Sequence, residues 1–173
     1  MLKSVPFQII CCNNQKIFGL FKFQFFTDKH RSNLDNAKSF FNVMESGLGW
    51  EMCKKYCSPN ATFETQASVA PAIGNSLQNY TEFMVTTHKL MPGLYWTGLV
   101  SAYDEETNTA LISATLHGKH TNTPEGAPMP PPTFRSVESD FVYRMHFNDV
   151  GKIDGLIKIW NFELAAQQLG WVK

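Results

Sequence analysis

The sequence predicts an α+β domain in which helices come first and a strongly curved antiparallel sheet follows. Two observations carry this. Up to Met91 most apolar residues recur at helical spacing, and after Gly93 the period switches to two. The alternating half then divides at polar turns into two hairpins, and hairpins pair their strands antiparallel.

Residues 17–27 (IFGLFKFQFFT) read as an extended segment, either an added edge strand or part of a leader. The domain proper is placed at 33–173, with 1–32 an N-terminal extension. Leu34, Ala37, Phe41, Met44 and Leu48 form the stripe of a first helix, which Gly47 and Gly49 break. A second short helix, 50–57, stops at Ser58-Pro59, and 61–67 alternates as a strand does. Ser76 is the expected N-cap of a third helix that runs to Met91 and ends at Pro92-Gly93. Its stripe is Leu77, Tyr80, Phe83, Met84, Thr87, Leu90 and Met91, with His88 at the edge near Tyr80 and Met84. Strands 94–103 and 110–121 form the first hairpin, and 136–147 and 152–162 the second. A loop at 123–133 with five prolines separates them, and a short amphipathic segment, 164–171, closes the chain.

A chain of 173 residues fits one domain with a sizeable core. Fifteen basic and fifteen acidic side chains balance, with no dense basic run. That argues against nucleic-acid binding by phosphate neutralisation and against a polybasic membrane anchor. No apolar run reaches the ~20 residues of a spanning helix. Fourteen Phe and four Trp imply a large aromatic core or an aromatic-lined cavity. Cys11-Cys12 and Cys53/Cys57 form neither a disulfide framework nor a zinc pattern, so reduced thiols and an intracellular, cytoplasmic setting are expected. Residues 1–31 carry Lys3, Lys16, Lys22, Lys29 and Arg31 against the single acid Asp28, which is also the composition of an organelle leader.

Ile112, Ala114 and Leu116 share the apolar face of the second strand of the sheet, and His120 has their parity. An inward histidine beside a cavity suits general acid–base work, and the alternative is a hydrogen-bonded core histidine. His88 either lines the pocket or partners a helix C-terminus. Asp140 has the opposite parity to Val137, Phe141, Tyr143 and Met145, so it faces solvent unless a bulge turns it inward. Trp160 and Asn161 stand where the last strand exits, and the Asn161 amide needs hydrogen-bond partners that a ligand could supply. His117 and His146 read as surface residues. The histidines form no metal set by spacing, and no nucleophile elbow, P-loop or dinucleotide fingerprint is present. No metal and no cofactor are expected.

Taken in order, Gly118-Lys119-His120-Thr121, Pro131-Pro132-Thr133-Phe134-Arg135, Gly151-Lys152-Ile153, Trp160-Asn161 and Gln168-Leu169-Gly170 resemble the SnoaL-like polyketide cyclases of the NTF2-like superfamily. The resemblance covers roughly residues 33–172 and implies a cone-shaped barrel with a ligand in its mouth. It implies a homodimer and a small hydrophobic molecule as ligand. It makes His120 an acid–base group, since this residue matches the histidine of the family's Gly-Thr-His-Thr-Gly pattern. Asn161 falls where many members have Asp; an amide orients a carbonyl or a water but is no base at neutral pH. Phe134 replaces the small residue usual after Pro-Pro-Thr, which narrows the pocket mouth.

The expected activity is therefore that of a cofactor-independent cyclase, isomerase or lyase acting on a small hydrophobic carbonyl compound. His120 is its acid–base group, Asn161 its polariser, and Asp140 or His88 the orienting partner. Phe63, Tyr80, Phe83, Trp96, Phe134, Tyr143 and Trp160 are the expected walls, and loop 123–133 the lid. The alternative is a non-catalytic module that binds a small molecule or dimerises through its sheet.

Overall fold

The computed structural model describes residues 28–126 and 129–172. The extended segment expected at 17–27 and the leader reading of 1–31 lie outside those residues or at their margin. Helix α1 (Asp28–Glu45) begins upstream of Asn33. It is followed by α2 (Gly49–Cys53), a 3-10 turn (Lys54–Tyr56), β1 (Cys57–Thr65), α3 (Ala70–Ile73) and α4 (Leu77–Leu90). Strands β2 (Tyr95–Asp104), β3 (Thr109–Lys119), β4 (Ser136–Phe147) and β5 (Ile153–Trp160) lead to α5 (Phe162–Leu169). No helix among the described residues is long and apolar enough to cross a membrane.

The sheet order is β1-β5-β4-β3-β2, and the two hairpins pair antiparallel as expected. One strand departs from that pattern. β1 pairs parallel to β5, with α3, α4, the first hairpin and β4 between them in the chain, so that β5 runs beside β1 in the same sense. The sheet is curved and does not close: β1 and β2 remain its two edges. Register shifts in β1, between Thr97 and Val100 in β2, and at His146/Phe147 bend it.

The concave face holds the core. Phe40, Phe41 and Met44 of α1 and Leu77, Tyr80 and Met84 of α4 meet Ile112, Tyr143, Met145 and Leu156 of the sheet, all essentially without solvent exposure. Each such side chain contributes ~1.5–3 kcal/mol by leaving water. Ser76 caps α4 as expected, its Oγ accepting from Asn79 N at 3.0 Å. Gly47 turns the chain after α1 with φ +65, and a Cβ there would lie 2.5 Å from His88 Cδ2, so this close approach requires glycine. The convex face carries Val100, Leu111 and Ile159, each substantially exposed.

Candidate functional site

A cavity of about 570 Å³ opens between α4, the concave sheet and α5. Its walls are mostly apolar: Phe83, Met84 and Leu90 from α4, Leu116 and Val137 from the sheet, Phe162, Ala165 and Leu169 from α5. Trp160, Trp171 and Met129 complete them. The charged side chains that reach it are Glu82, which is exposed, and Lys158, which is buried.

Lys158 sits in β5 between Leu156 and Trp160 on the same face and lies directly opposite Tyr143 of β4. Its Nζ donates to Tyr80 Oη at 2.9 Å. The next two links have a fixed direction. Tyr143 Oη donates to Glu45 Oε1, so it must accept from Tyr80 Oη, whose oxygen accepts from the lysine. The result is a donor chain, Lys158 to Tyr80 to Tyr143 to Glu45, with all four residues buried. Four aromatic rings surround the ammonium: its Nζ is 4.2 Å from the Trp160 ring centroid, 4.9 Å from Phe141, 5.3 Å from Tyr143 and 5.4 Å from Tyr80.

Burial holds the Lys158 ammonium down to about 8, with Glu45 pulling the other way. Burial pushes the Glu45 carboxyl up, opposed by the lysine charge and the Tyr143 hydrogen bond. Burial and the Glu45 charge push both tyrosines well up, so they carry protons without ionising. Moving each proton one bond along the chain converts Lys158 ammonium and Glu45 carboxylate into amine and carboxylic acid. Near the lysine, Glu45 Oε2 and Trp160 Nε1 are buried without a protein hydrogen-bond partner among the described residues. Lys158 and Trp160 both line this largely apolar cavity, and Lys158 brings a buried cationic donor to it.

The expected site residues fall elsewhere. His120 is buried, as its parity requires, but it is not in the cavity wall. Trp171 stands between: its Nε1–H donates to His120 Nδ1 at 3.1 Å, and the Thr133 N–H donates to the same atom at 3.3 Å. Two obligate donors on Nδ1 place the ring proton on Nε2, which donates to Thr123 Oγ1 at 3.2 Å. Burial lowers its pKa, which favours the neutral ring these partners select. This is the hydrogen-bonded core histidine. Asn161 caps α5, its Oδ1 accepting from Leu164 N at 3.0 Å, so the helix supplies the partner expected of a ligand. Asp140 is exposed and accepts from Thr115 Oγ1 at 2.7 Å across the strands. His88 Nε2 bonds the Glu45 carbonyl oxygen at 2.6 Å and ties α4 to the end of α1, away from the wall.

Of the expected walls, Phe83 and Trp160 line the cavity. Tyr80 and Tyr143 belong to the donor chain behind it, and Phe63 stacks on Tyr80 with centroids 4.1 Å apart. Trp96 packs edge-on against Phe41 instead. Phe134 is 65% exposed, so it does not narrow the mouth; it takes φ +57 in the turn after the proline run. Lys158 and Glu45 were not anticipated. Each had a signal: Lys158 shares the parity of Leu156 and Trp160, and Glu45 follows Ala37 and Phe41 at four-residue steps. Among the described residues no group of three or more His, Cys, Asp or Glu is placed to hold a metal ion.

No protein-family model matches the chain, and no curated protein matches it. Solved structures do. A candidate SnoaL-like polyketide cyclase from Jannaschia sp. CCS1 superposes with a TM-score of 0.67 at 13% identity, over 85% of this chain and 97% of that one. The phenazine biosynthesis-related protein of Pseudomonas aeruginosa gives 0.60 at 15% identity, covering 84% and 89%. The BvnE pinacolase of Penicillium brevicompactum gives 0.60 at 12%, covering 82% and 90%. At such identities the likeness is one of fold: the chain has the NTF2-like cone fold of the SnoaL-like polyketide cyclases.

Proposed function

We propose that the protein is an acid–base enzyme of the cyclase, isomerase or lyase type, acting on a small hydrophobic carbonyl compound bound in the cavity. The observation that carries this reading is the donor chain that ends at Lys158. With its own proton relayed through Tyr80 and Tyr143 to Glu45, Lys158 Nζ is a free amine that takes the α-proton of the bound carbonyl compound and passes it to the carbonyl oxygen, giving the enol. The acid–base role thus moves from His120, whose ring nitrogens are fully engaged, to Lys158. His120, Thr123 and Thr133 tie together the described parts of the loop between β3 and β4, whose Met129 lines the cavity. Proteins of this fold include ones described as a polyketide cyclase, an isomerase and a pinacolase, which fits rearrangement chemistry.

The test is α-proton exchange. Incubation with hydrophobic aryl ketones in D2O, followed by proton NMR, is expected to show catalysed exchange that Lys158→Met abolishes while the fold persists. Exchange no faster than buffer across the ketones, or undiminished in the variant, overturns the assignment. The exposed Val100, Leu111 and Ile159 on the convex face fit cover by a second copy. Light scattering is expected to return a dimer that Val100→Glu dissociates.

A further inference from the structure

The geometry points to covalent chemistry at the same site: Lys158 Nζ condenses with the carbonyl carbon of an aldehyde or ketone to form a reversible imine. This inference rests on the proposed carbonyl substrate and deepens it. Three observations support it. Lys158 lines a cavity that is otherwise largely apolar. It has an internal acceptor for its proton, through Tyr80 and Tyr143 to Glu45, so a nucleophilic amine forms without a bulk base. The rings of Trp160, Phe141, Tyr143 and Tyr80 that surround the ammonium suit an iminium cation equally, since the charge stays on the same nitrogen.

The step balances as follows. Lys158 ammonium passes one proton along the chain to Glu45. The amine lone pair attacks the carbonyl carbon, and a proton shed by the nitrogen passes to the oxygen to give a neutral carbinolamine. The proton held by Glu45 returns, the C–O bond breaks, and water leaves through the cavity opening. The net change is ammonium plus carbonyl to iminium plus water, with no change in charge. The iminium acidifies the adjacent C–H, as aldol-type closure or cleavage requires. With its ammonium held near 8, Lys158 is about 200-fold richer in free amine at neutral pH than an ordinary surface lysine. Glu82 of α4 also reaches the cavity, but it is exposed and accepts from Trp50 N at 3.0 Å.

The full chain is treated at neutral pH with trans-cinnamaldehyde and sodium cyanoborohydride, then read by intact mass and peptide mapping. Cinnamaldehyde binding is read in parallel by tryptophan fluorescence without reductant. The expected result is one reduced adduct, saturable, at Lys158, forming at least tenfold faster than on any other lysine and slowed by Tyr80→Phe. Binding with adducts only on surface lysines overturns the imine and leaves the acid–base reading standing. Neither binding nor a Lys158 adduct overturns both. An adduct at Lys158 no faster than elsewhere shows an ordinary amine and also overturns the imine.

Discussion

If Lys158 is held as a destabilised ammonium, its titration must appear in the stability of the fold. The folded value lies near 8, below the 10.5 expected of the unfolded chain. The unfolded chain therefore binds the extra proton between those values, and stability rises with pH across that window. It is complete above the unfolded value and lost as pH falls toward 8. Glu45 titrates in the same network, so the clean comparison is Glu45→Gln against Glu45→Gln/Lys158→Met. Linkage gives a gain of about 2 kcal/mol between about pH 7 and about pH 9.5 for the protein that keeps the lysine, and none for its partner. Loss of Glu45 removes an upward push on the lysine, so the measured gain should exceed that figure. In a chain of this size the difference is roughly 4–8 °C in Tm. The buried thiols of Cys53 and Cys57, pushed up to about 12, and the two tyrosines also titrate in alkali, but equally in both proteins. Urea melts at half-unit steps of pH measure the gap. Two parallel curves would refute the depressed lysine and, with it, the supply of free amine.

The remaining predictions probe single links. Tyr143→Phe breaks the chain between Tyr80 and Glu45, leaves the carboxyl without its donor, and should cost about 1–3 kcal/mol in chemical denaturation. It should also slow α-proton exchange while leaving ketone binding intact. His120→Phe strands the Trp171 and Thr133 N–H groups and should cost about 2 kcal/mol. The wild-type histidine has a folded pKa below its usual 6.5, so the protein should lose stability as pH falls below that value, and His120→Phe should remove this acid sensitivity. Phe134→Gly relieves a positive φ on an exposed side chain and should raise Tm, a gain of about 1 kcal/mol; no gain would mean that the aromatic ring offsets the strain.

Most of the fold was legible because periodicity and turn chemistry are local. Ser76, the period switch after Gly93, and the turns at Asp104 and Asn148 each determine an element from neighbouring residues. The parallel pairing of β1 with β5 was not legible, since it joins segments separated by two helices, the first hairpin and β4. Lys158 was hidden for another reason. In Leu156-Ile157-Lys158-Ile159-Trp160 both parities are rich in apolar residues, so the pattern does not say which face is inside. The structure puts Ile157 and Ile159 on the convex side and Lys158 on the concave side, the reverse of what charge alone would assign. Glu45 is the same case on a helix, a carboxylate at stripe spacing whose partner comes from another layer. For His120, burial was readable from parity. Its role was not, because Trp171 and Thr133 reach it only once the fold has formed.

Two buried polar systems therefore flank one cavity, and their hydrogen bonds distinguish them. Around His120 both ring nitrogens are engaged, one tautomer is selected, and Thr133 Oγ1 passes on to the Leu169 carbonyl at 2.7 Å. Every change of protonation there breaks a bond, so the network resists chemistry and holds the loop and C-terminus in place. Along Lys158, Tyr80, Tyr143 and Glu45 each proton has a second stable position, and Glu45 Oε2 and Trp160 Nε1 are unengaged. A proton can move there without any bond being lost. Burial is common to both networks and so cannot identify the reactive one. The distinction rests on whether the other protonation state is also satisfied, and by that criterion the proposed chemistry belongs to the lysine.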